Sequence, residues 1–539
     1  MFNRKTGLAF LPLLLSFIFT SFQKTVFSQK LKTYDLVKDF KAVPDDKTDN
    51  YLAFVKAAET ISKAGGGRLN IPKGNYYIAA YKTALPNKLY KAGDIIFRNC
   101  NNLTIIGNKA VIRVNGKFIR NADYQIPAVP FFYAYNNTVC PFKLINCKNV
   151  LLKDITVYGE VDKMKKQGSP AEGECYGIYI ADDEPAEVSS KIVLQNISAH
   201  HFAADGFLIK SNGDDILLDK CYSYKNARQG LSIVKGKNIK VLNSSFDSTG
   251  VTGAYGWHAP GAGIDVENEF GAGKLNNVLI RNCNLRGNRG FQIVTTLPSD
   301  NVVIDSCFIS DFTAGYSDAL NGVGMYSINS ALTNCILFAG IQVDLSDQIY
   351  TGPAIQLISK NIIYSGNRGL VSADFARPVR ILDNIFIMLP KPVMGEYFPY
   401  IQNHNCVYDR NIVVVHADRL KDHPNTVISL VQSTIQANED FWLVNGYTIP
   451  LEKRKTVYFM PATNGSQIVK DHFFAQSDLV SQYNFRKTHF LTNKQVNAIL
   501  SKDLFTAYKQ NYFNIKYLLQ ANEVRSYTGN IVKEAKKKK

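Results

Sequence analysis

Ile192-Val-Leu-Gln-Asn-Ile, Ile216-Leu-Leu-Asp-Lys-Cys, Ile239-Lys-Val-Leu-Asn-Ser, Val278-Leu-Ile-Arg-Asn-Cys and Val302-Val-Ile-Asp-Ser-Cys are five renderings of one short phrase. From the second to the fifth the starts lie 23, 39 and 24 residues apart, a single period interrupted by one long insertion. A β-rich unit this short cannot bury its own apolar face and must stack on its neighbours, so the period predicts a solenoid. A second echo follows each phrase: Gly206-Phe-Leu-Ile-Lys, Gly230-Leu-Ser-Ile-Val, Gly263-Ile-Asp-Val-Glu and Gly290-Phe-Gln-Ile-Val. Alternation places Phe207, Leu231, Ile264 and Phe291 inward with Ile209, Ile233, Val266 and Ile293, and turns Leu208, Ser232, Asp265 and Gln292 outward. Stacked in register, these units predict a parallel β-helix.

Outward from this core, the chain opens with an address. Arg4 and Lys5 precede an apolar run from Leu8 to Phe19, and Val26-Phe-Ser28 precedes a cleavage point, which predicts a signal peptide over residues 1–28 and a secreted or periplasmic protein. The run is shorter than the ~20 residues that cross a bilayer, so no stable membrane span is expected after cleavage. The full chain of 539 residues carries a net charge of +17, and losing Arg4, Lys5 and Lys24 leaves +14. Part of the excess is the Lys536–Lys539 tail; the rest favours an anionic partner, and no nucleic-acid module is present, so an acidic polysaccharide is the expected one. Nine cysteines leave at least one unpaired. Cys221, Cys283 and Cys307 share one place in the repeat, with Ser245 read as its occupant in the intervening coil. Stacked small buried side chains account for that pattern better than disulfides or a metal site.

Asp39-Phe-Lys-Ala-Val-Pro-Asp-Asp-Lys-Thr-Asp-Asn50, Ala53, Phe54, Ala57, Gly65-Gly-Gly67 and Ile71-Pro-Lys-Gly-Asn-Tyr76 resemble the opening of the pectate-lyase-like superfamily. The resemblance implies an all-β, right-handed parallel β-helix closed by an N-terminal helix. Asp49 can cap that helix, whose stripe is Tyr51, Phe54, Val55, Ala58 and Ile61 and whose end is Gly65. The acidic cluster Asp45, Asp46 and Asp49 suits turns and capping. The expected organisation is a cap over residues 29–93, coils over 94–420 and a small mixed C-terminal extension over 421–539, with strands at Phe441-Trp-Leu-Val and Thr456-Val-Tyr-Phe-Met and a helix begun by Thr492. An aromatic loop over 115–141 and a lysine-rich loop over 159–174 leave the stack.

The candidate site follows from register. Asp205, Arg228 and Arg289 stand before the repeated glycine; Lys210, Asp265, Glu267 and Gln292 stand outward after it, and Tyr179 joins them if Gly177-Ile-Tyr-Ile is the preceding equivalent strand. The insertion 250–263 brings Tyr255, Trp257 and His258 to the same patch. Two carboxyls suit a glycoside hydrolase, with Asp265, Glu267 and Asp205 as the pool. A polysaccharide lyase instead needs a cation beside the uronate, Arg228 or Arg289, and a base, His258, Lys210 or Tyr179. Trp257, Arg289, Lys210, Tyr179 and Gln292 would bind substrate. A non-catalytic glycan-binding or adhesive β-helix is the rival from another class. No cofactor is required; a divalent cation such as calcium is compatible, with no ligand set assigned and no aspartate-rich calcium pattern of pectate lyases. Ala204-Asp205-Gly206 resembles the Asn-Thr-Asp-Gly motif of polygalacturonase-type hydrolases. The next coils carry Asn226-Ala-Arg-Gln-Gly230 and an inserted His258 where that family has paired aspartates and Gly-His-Gly, so its catalytic residues do not carry over. Arg368 repeats the Asn-Arg-Gly turn of Arg289, a reason to read both as turn residues.

Overall fold

The computed structural model describes residues 31–475 apart from connecting segments, the longest of which are 79–93, 126–132, 164–174, 311–321, 345–355, 389–399, 417–428 and 446–466. Within it the repeats stack as read. Leu103, Val150, Ile192, Ile216, Ile239, Val278 and Val302 form one inward column through successive parallel pairings. Val157, Ala199, Ser223, Phe246, Leu285 and Ile309 form a second. Phe142, Ile178, Phe207, Leu231, Ile264, Ile293 and Val323 form a third. These side chains are buried and, apart from the polar Ser223, belong to one continuous hydrophobic column. Parallel strands joined by crossovers coil right-handedly, which gives the right-handed parallel β-helix.

The repeated phrase ends as it does because each coil turns a corner there. Its fifth residue takes a left-handed backbone, with φ of 54° at Lys220, 51° at Asn243, 58° at Asn282, 55° at Ser306 and 54° at Asn334. Asparagine tolerates that region better than most side chains. The sixth residue then points inward and closes a hydrogen-bond column. Cys221 N–H donates to Ser244 Oγ (2.9 Å), Cys335 N–H to Asn361 Oδ1 (2.9 Å) and Asn361 N–H to Asn384 Oδ1 (3.0 Å). In the other direction Asn361 Nδ2 donates to Leu332 O and Asn384 Nδ2 to Ile358 O, each at 2.9 Å. The serine of the column is therefore Ser244, not Ser245, which faces outward beside Tyr222. The eight described cysteines are free and buried, as a ladder of small side chains requires.

The N-terminal helix spans Tyr51–Lys63 and buries Tyr51, Ala53, Phe54, Ala57, Ala58 and Ile61, while Val55 is only partly buried. Asp49 Oδ1 accepts from Tyr51 N–H (3.0 Å), and Gly65 at φ 70° ends the helix. Phe54 meets Tyr76 and Phe142 edge-on at 6.0 and 6.4 Å, so the helix closes the first coils from their open end. Asp45 accepts from Lys47 and Thr48 N–H, and Asp46 pairs with Arg113.

The ladder is longer than the 94–420 expected. It begins at Thr33–Asp35, which pairs with Gly67–Asn70, and it continues as Ile412–His416 pairs with Asp440–Asn445 and that strand with Asp471–Ala475. The strand Phe441-Trp-Leu-Val is thus in the main sheet; Thr456-Val-Tyr-Phe-Met, the helix at Thr492, Arg368 and residues 1–28 lie outside the described residues. From the segment 115–141 an antiparallel pair, Ile119–Gln125 with Tyr133–Asn136, leaves the stack. Among the described residues no helix is long and apolar enough to cross a membrane.

If the corner column holds the coils together, Asn361→Ala must hurt more than its size suggests. It leaves the buried Cys335 N–H and Leu332 O unpaired, at about 1–3 kcal/mol for each group. Denaturant unfolding is expected to show that loss for Asn361→Ala, and a much smaller one for Cys221→Ser, which preserves a side chain of the kind Ser244 already supplies.

Candidate functional site

One outward ladder carries the candidate residues: Lys143, Tyr179, Leu208, Ser232, Asp265, Val294 and Gly324 occupy the same position in successive coils. Tyr179 is therefore on the ladder as expected, with Lys143 Nζ 4.8 Å from its ring centroid and Tyr176 5.2 Å away. Gln292 is not, because Ile264 pairs with Ile293 and Asp265 with Val294, two residues further along than the repeated glycines suggest. The turn before it takes up the difference. Gln292 Oε1 accepts from Asn288 N–H (3.1 Å) and Nδ2 (2.9 Å), and its Nε2 donates to Asn288 O (3.1 Å). It braces a turn from a fully buried position. The same shift carries Phe291 out of the inward column to a partly exposed place, edge-on to Tyr326 at 6.1 Å. Lys210 sits at a register shift, opposite Lys235 rather than in line with the carboxylates.

At the centre, side chains from three coils form a continuous polar chain. Arg228 holds Asp205 with both ends of its fork, Nε to Oδ1 at 2.8 Å and Nη2 to Oδ2 at 2.5 Å. Asp205 is 0% exposed, so pairing and hydrogen bonding are what make its charge tolerable there. Ser232 Oγ lies 3.0 Å from Asp205 Oδ2 and also contacts Gln229 Oε1. Gln229 Nε2 lies 2.6 Å from Asp265 Oδ2.

Asp265 is 2% exposed, and its Oδ1 has no hydrogen-bond partner among the described residues. Burial pushes its carboxyl well above the usual range; the charges of Glu267 and Asp205 push the same way, against Arg228 and the Gln229 hydrogen bond. Asp265 accordingly holds its proton to a higher pH than an ordinary aspartate does. Glu267, two residues on, is exposed, its N–H bonded to Ile233 O (3.0 Å). Asp265 lies in the strand Ile264–Val266 and Glu267 just past its end, so a buried acid and an exposed carboxyl stand two residues apart.

The insertion packs against the turns of the neighbouring coils and on itself. Trp257 lies under the Arg289 guanidinium, 4.5 Å from its carbon, and its ring atoms stand 3.0 and 3.1 Å from where a Cβ at Gly261 would be. Gly261, at φ 65°, is thus required both by backbone and by space. His258 is buried, its N–H donated to Ala227 O (2.8 Å) and its Nε2 3.4 Å from Tyr255 Oη. The structure thus brings Asp205, Arg228 and Asp265 together through Gln229 and Ser232. Trp257 and Arg289 form a stacked pair, and His258 pairs with Tyr255. Among the described residues no group of three His, Cys, Asp or Glu is placed to hold a metal ion.

Gln229 and Ser232 were absent from the expected site: alternation turns Ser232 outward, but it sets Gln229 on the face of Leu231 and Ile233, so the repeat gave no signal for its place in the polar chain. A second assembly also went unread. Tyr158, His200 and Tyr224 hold equivalent outward positions and stack, His200 at 5.1 Å from Tyr158 and 4.4 Å from Tyr224. Burial holds the His200 imidazole at about 3, and its Nδ1 lies 2.7 Å from His201 Nδ1, one donating and the other accepting.

No family model matches the sequence, and no curated protein matches it. Among solved structures, similarity is found to the surface adhesin PfbA of Streptococcus pneumoniae (13% identity, 77% of this chain and 90% of that one, TM-score 0.47). It is found also to the mannuronan C-5 epimerase AlgE6 A-module of Azotobacter vinelandii (16%, 82% and 99%, 0.42). A third is a tailspike protein of E. coli bacteriophage HK620 (13%, 79% and 78%, 0.47). Likeness at this level is a likeness of coiling and says nothing of chemistry at any site. The coil architecture is the parallel β-helix that the resemblance of the stretch Asp39–Tyr76 implies.

The sign of the Asp265 shift has a measurable consequence. Its folded pKa lies above the unfolded value of about 3.9, so its contribution to stability is full below that pH and is lost as pH rises toward the folded value. Asp265→Asn, a neutral isostere, is expected to remove that part of the decline: thermal melts at pH 4 and pH 7.5 should show a smaller difference than wild type. A larger difference in the variant would contradict a protonated Asp265.

Proposed function

We propose that this protein is an exported carbohydrate-active β-helix that hydrolyses a polysaccharide; the net charge of +17 favours an acidic one. The observation that carries the reading is the pair Asp265 and Glu267. A buried carboxyl that keeps its proton and an open carboxylate beside it on one outward face are the two parts a glycoside hydrolase needs, Asp265 as acid and Glu267 as base or nucleophile. Tyr179, on the ladder that carries Asp265, offers ring surface for sugar.

Hydrolysis is favoured over β-elimination by the state of Arg228. Its fork is occupied by Asp205 in a buried pair, so its charge is already committed rather than open to a uronate carboxylate. Asp205, in turn, serves to hold that arginine. A binder without cleavage remains the second reading, and the near-complete burial of Asp265 is the observation in its favour.

Incubation of the signal-free protein with uronate and neutral polysaccharides separates these readings. New reducing ends without the ultraviolet absorbance of an unsaturated uronate are expected. Asp265→Asn and Glu267→Gln should each lower the rate by about 10²- to 10⁴-fold, the usual worth of a proton-transfer group, with the fold intact by circular dichroism. Unsaturated products would indicate a lyase, retention without cleavage a binder, and full activity in the double variant would remove both carboxyls from the mechanism.

A further inference from the structure

Hydrogen counting in the buried chain exposes a conflict. The Ser232 hydroxyl has one proton and two acceptors in contact, Asp205 Oδ2 at 3.0 Å and Gln229 Oε1. At the other end, Gln229 Nε2 faces Asp265 Oδ2 at 2.6 Å, an N–H donated to a carboxyl oxygen. That arrangement suits an ionised Asp265. A protonated Asp265 must also place its own O–H, and among the described residues its Oδ1 has no partner. A half-turn of the Gln229 amide exchanges its oxygen and nitrogen without moving any other heavy atom.

We propose that Gln229 is a positioning residue whose side-chain amide takes two orientations, one for each protonation state of Asp265, with the Ser232 hydroxyl turning in step. With Asp265 ionised, Gln229 Nε2–H donates to Asp265 Oδ2 and Gln229 Oε1 accepts the Ser232 proton. With Asp265 protonated, its O–H donates to the Gln229 oxygen, the Gln229 NH₂ donates to Ser232 Oγ, and Ser232 donates to Asp205 Oδ2. In each state every proton between the two carboxyls has one acceptor; in the ionised state the Ser232 oxygen faces Asp205 Oδ2 with no proton between them, a contact that the protonated state relieves. The Arg228 fork holds Asp205 in both. The charged groups acting on Asp265 are Glu267 on its own strand and Arg228 and Asp205 from the preceding coils; the following coil presents Val294. Chemically, the amide would let Asp265 release and regain a proton in a dry site, because it offers a donor to the carboxylate and an acceptor to the acid. Its part in cleavage rests on the hydrolase reading, whereas the two-state amide does not.

The test follows the Asp265 carboxyl directly. Difference infrared spectroscopy over a pH series, with the Asp265 band assigned by its loss in Asp265→Asn, gives a titration midpoint and needs no substrate, so a failure of the hydrolase reading leaves it intact. Gln229→Met removes two hydrogen bonds from each state, but the one to the carboxylate is charge-assisted and about twice as strong as a neutral one, so the variant is expected to raise the midpoint by about one pH unit, a tenfold change. Ser232→Ala costs the protonated state two hydrogen bonds and the ionised state one, and is expected to lower it. Opposite shifts support the paired switch. Shifts of the same sign, or none in variants whose melts show a native fold, overturn it. Should Gln229→Met fail to fold, the direction of the Ser232→Ala shift decides alone.

Discussion

Every feature of this molecule depends on neighbouring coils keeping register. Parallel strands about 4.8 Å apart share every backbone hydrogen bond with the coil before and the coil after, so a one-residue slip would turn an inward column outward. The corner column resists such a slip. A small polar side chain in each coil takes the corner N–H of the coil before it, from Cys221 and Ser244 to Asn361 and Asn384. Sulfur, hydroxyl and amide are interchangeable there because each is small enough to lie inside the turn and able to serve a backbone group. Side chains of that size also explain why cysteines line a column without cross-linking it.

Register also decides what the outside can do. Residues separated by tens of positions become neighbours on one face, and a coil that is a little longer moves its whole outward set. The turn around Asn288 does this: it draws Gln292 into a brace, places Val294 beside Asp265 and leaves Phe291 outward against Tyr326. Burial beside the apolar Val294 and the charge of Glu267 give Asp265 an environment in which losing its proton is expensive, against the opposing pull of Arg228.

Outward does not mean wet. Asp205, Gln229, Ser232 and Asp265 all point away from the hydrophobic column and are nonetheless buried. Buried polar groups must satisfy one another, and these do so across three coils. The Tyr158, His200 and Tyr224 stack solves the same problem with flat rings: equivalent positions on successive coils lie at stacking distance, and the histidine stays neutral because burial penalises its charge.

The repeat was legible in the sequence because each coil must satisfy the same local demands: an alternating strand, a left-handed corner and a small inward residue. Those demands recur in Ile216–Cys221 and Val278–Cys283 whatever lies around them, and the helix was legible for the same local reason, although its cap position is Asn50 and Asp49 stands one residue before it. The limits of the stack, from Thr33 to Ala475, were less so, since end coils have irregular strands whose pairing is visible only once the neighbouring coil is in place. At the site, the alternation of Ser232, Asp265 and Glu267 was a property of the chain alone. Which of them is buried, that Arg228 turns back to Asp205, and that Gln229 joins two carboxyls were decided by the tertiary structure. Hydrogen bonding between side chains depends on distances between coils, and no spacing along the chain encodes those distances.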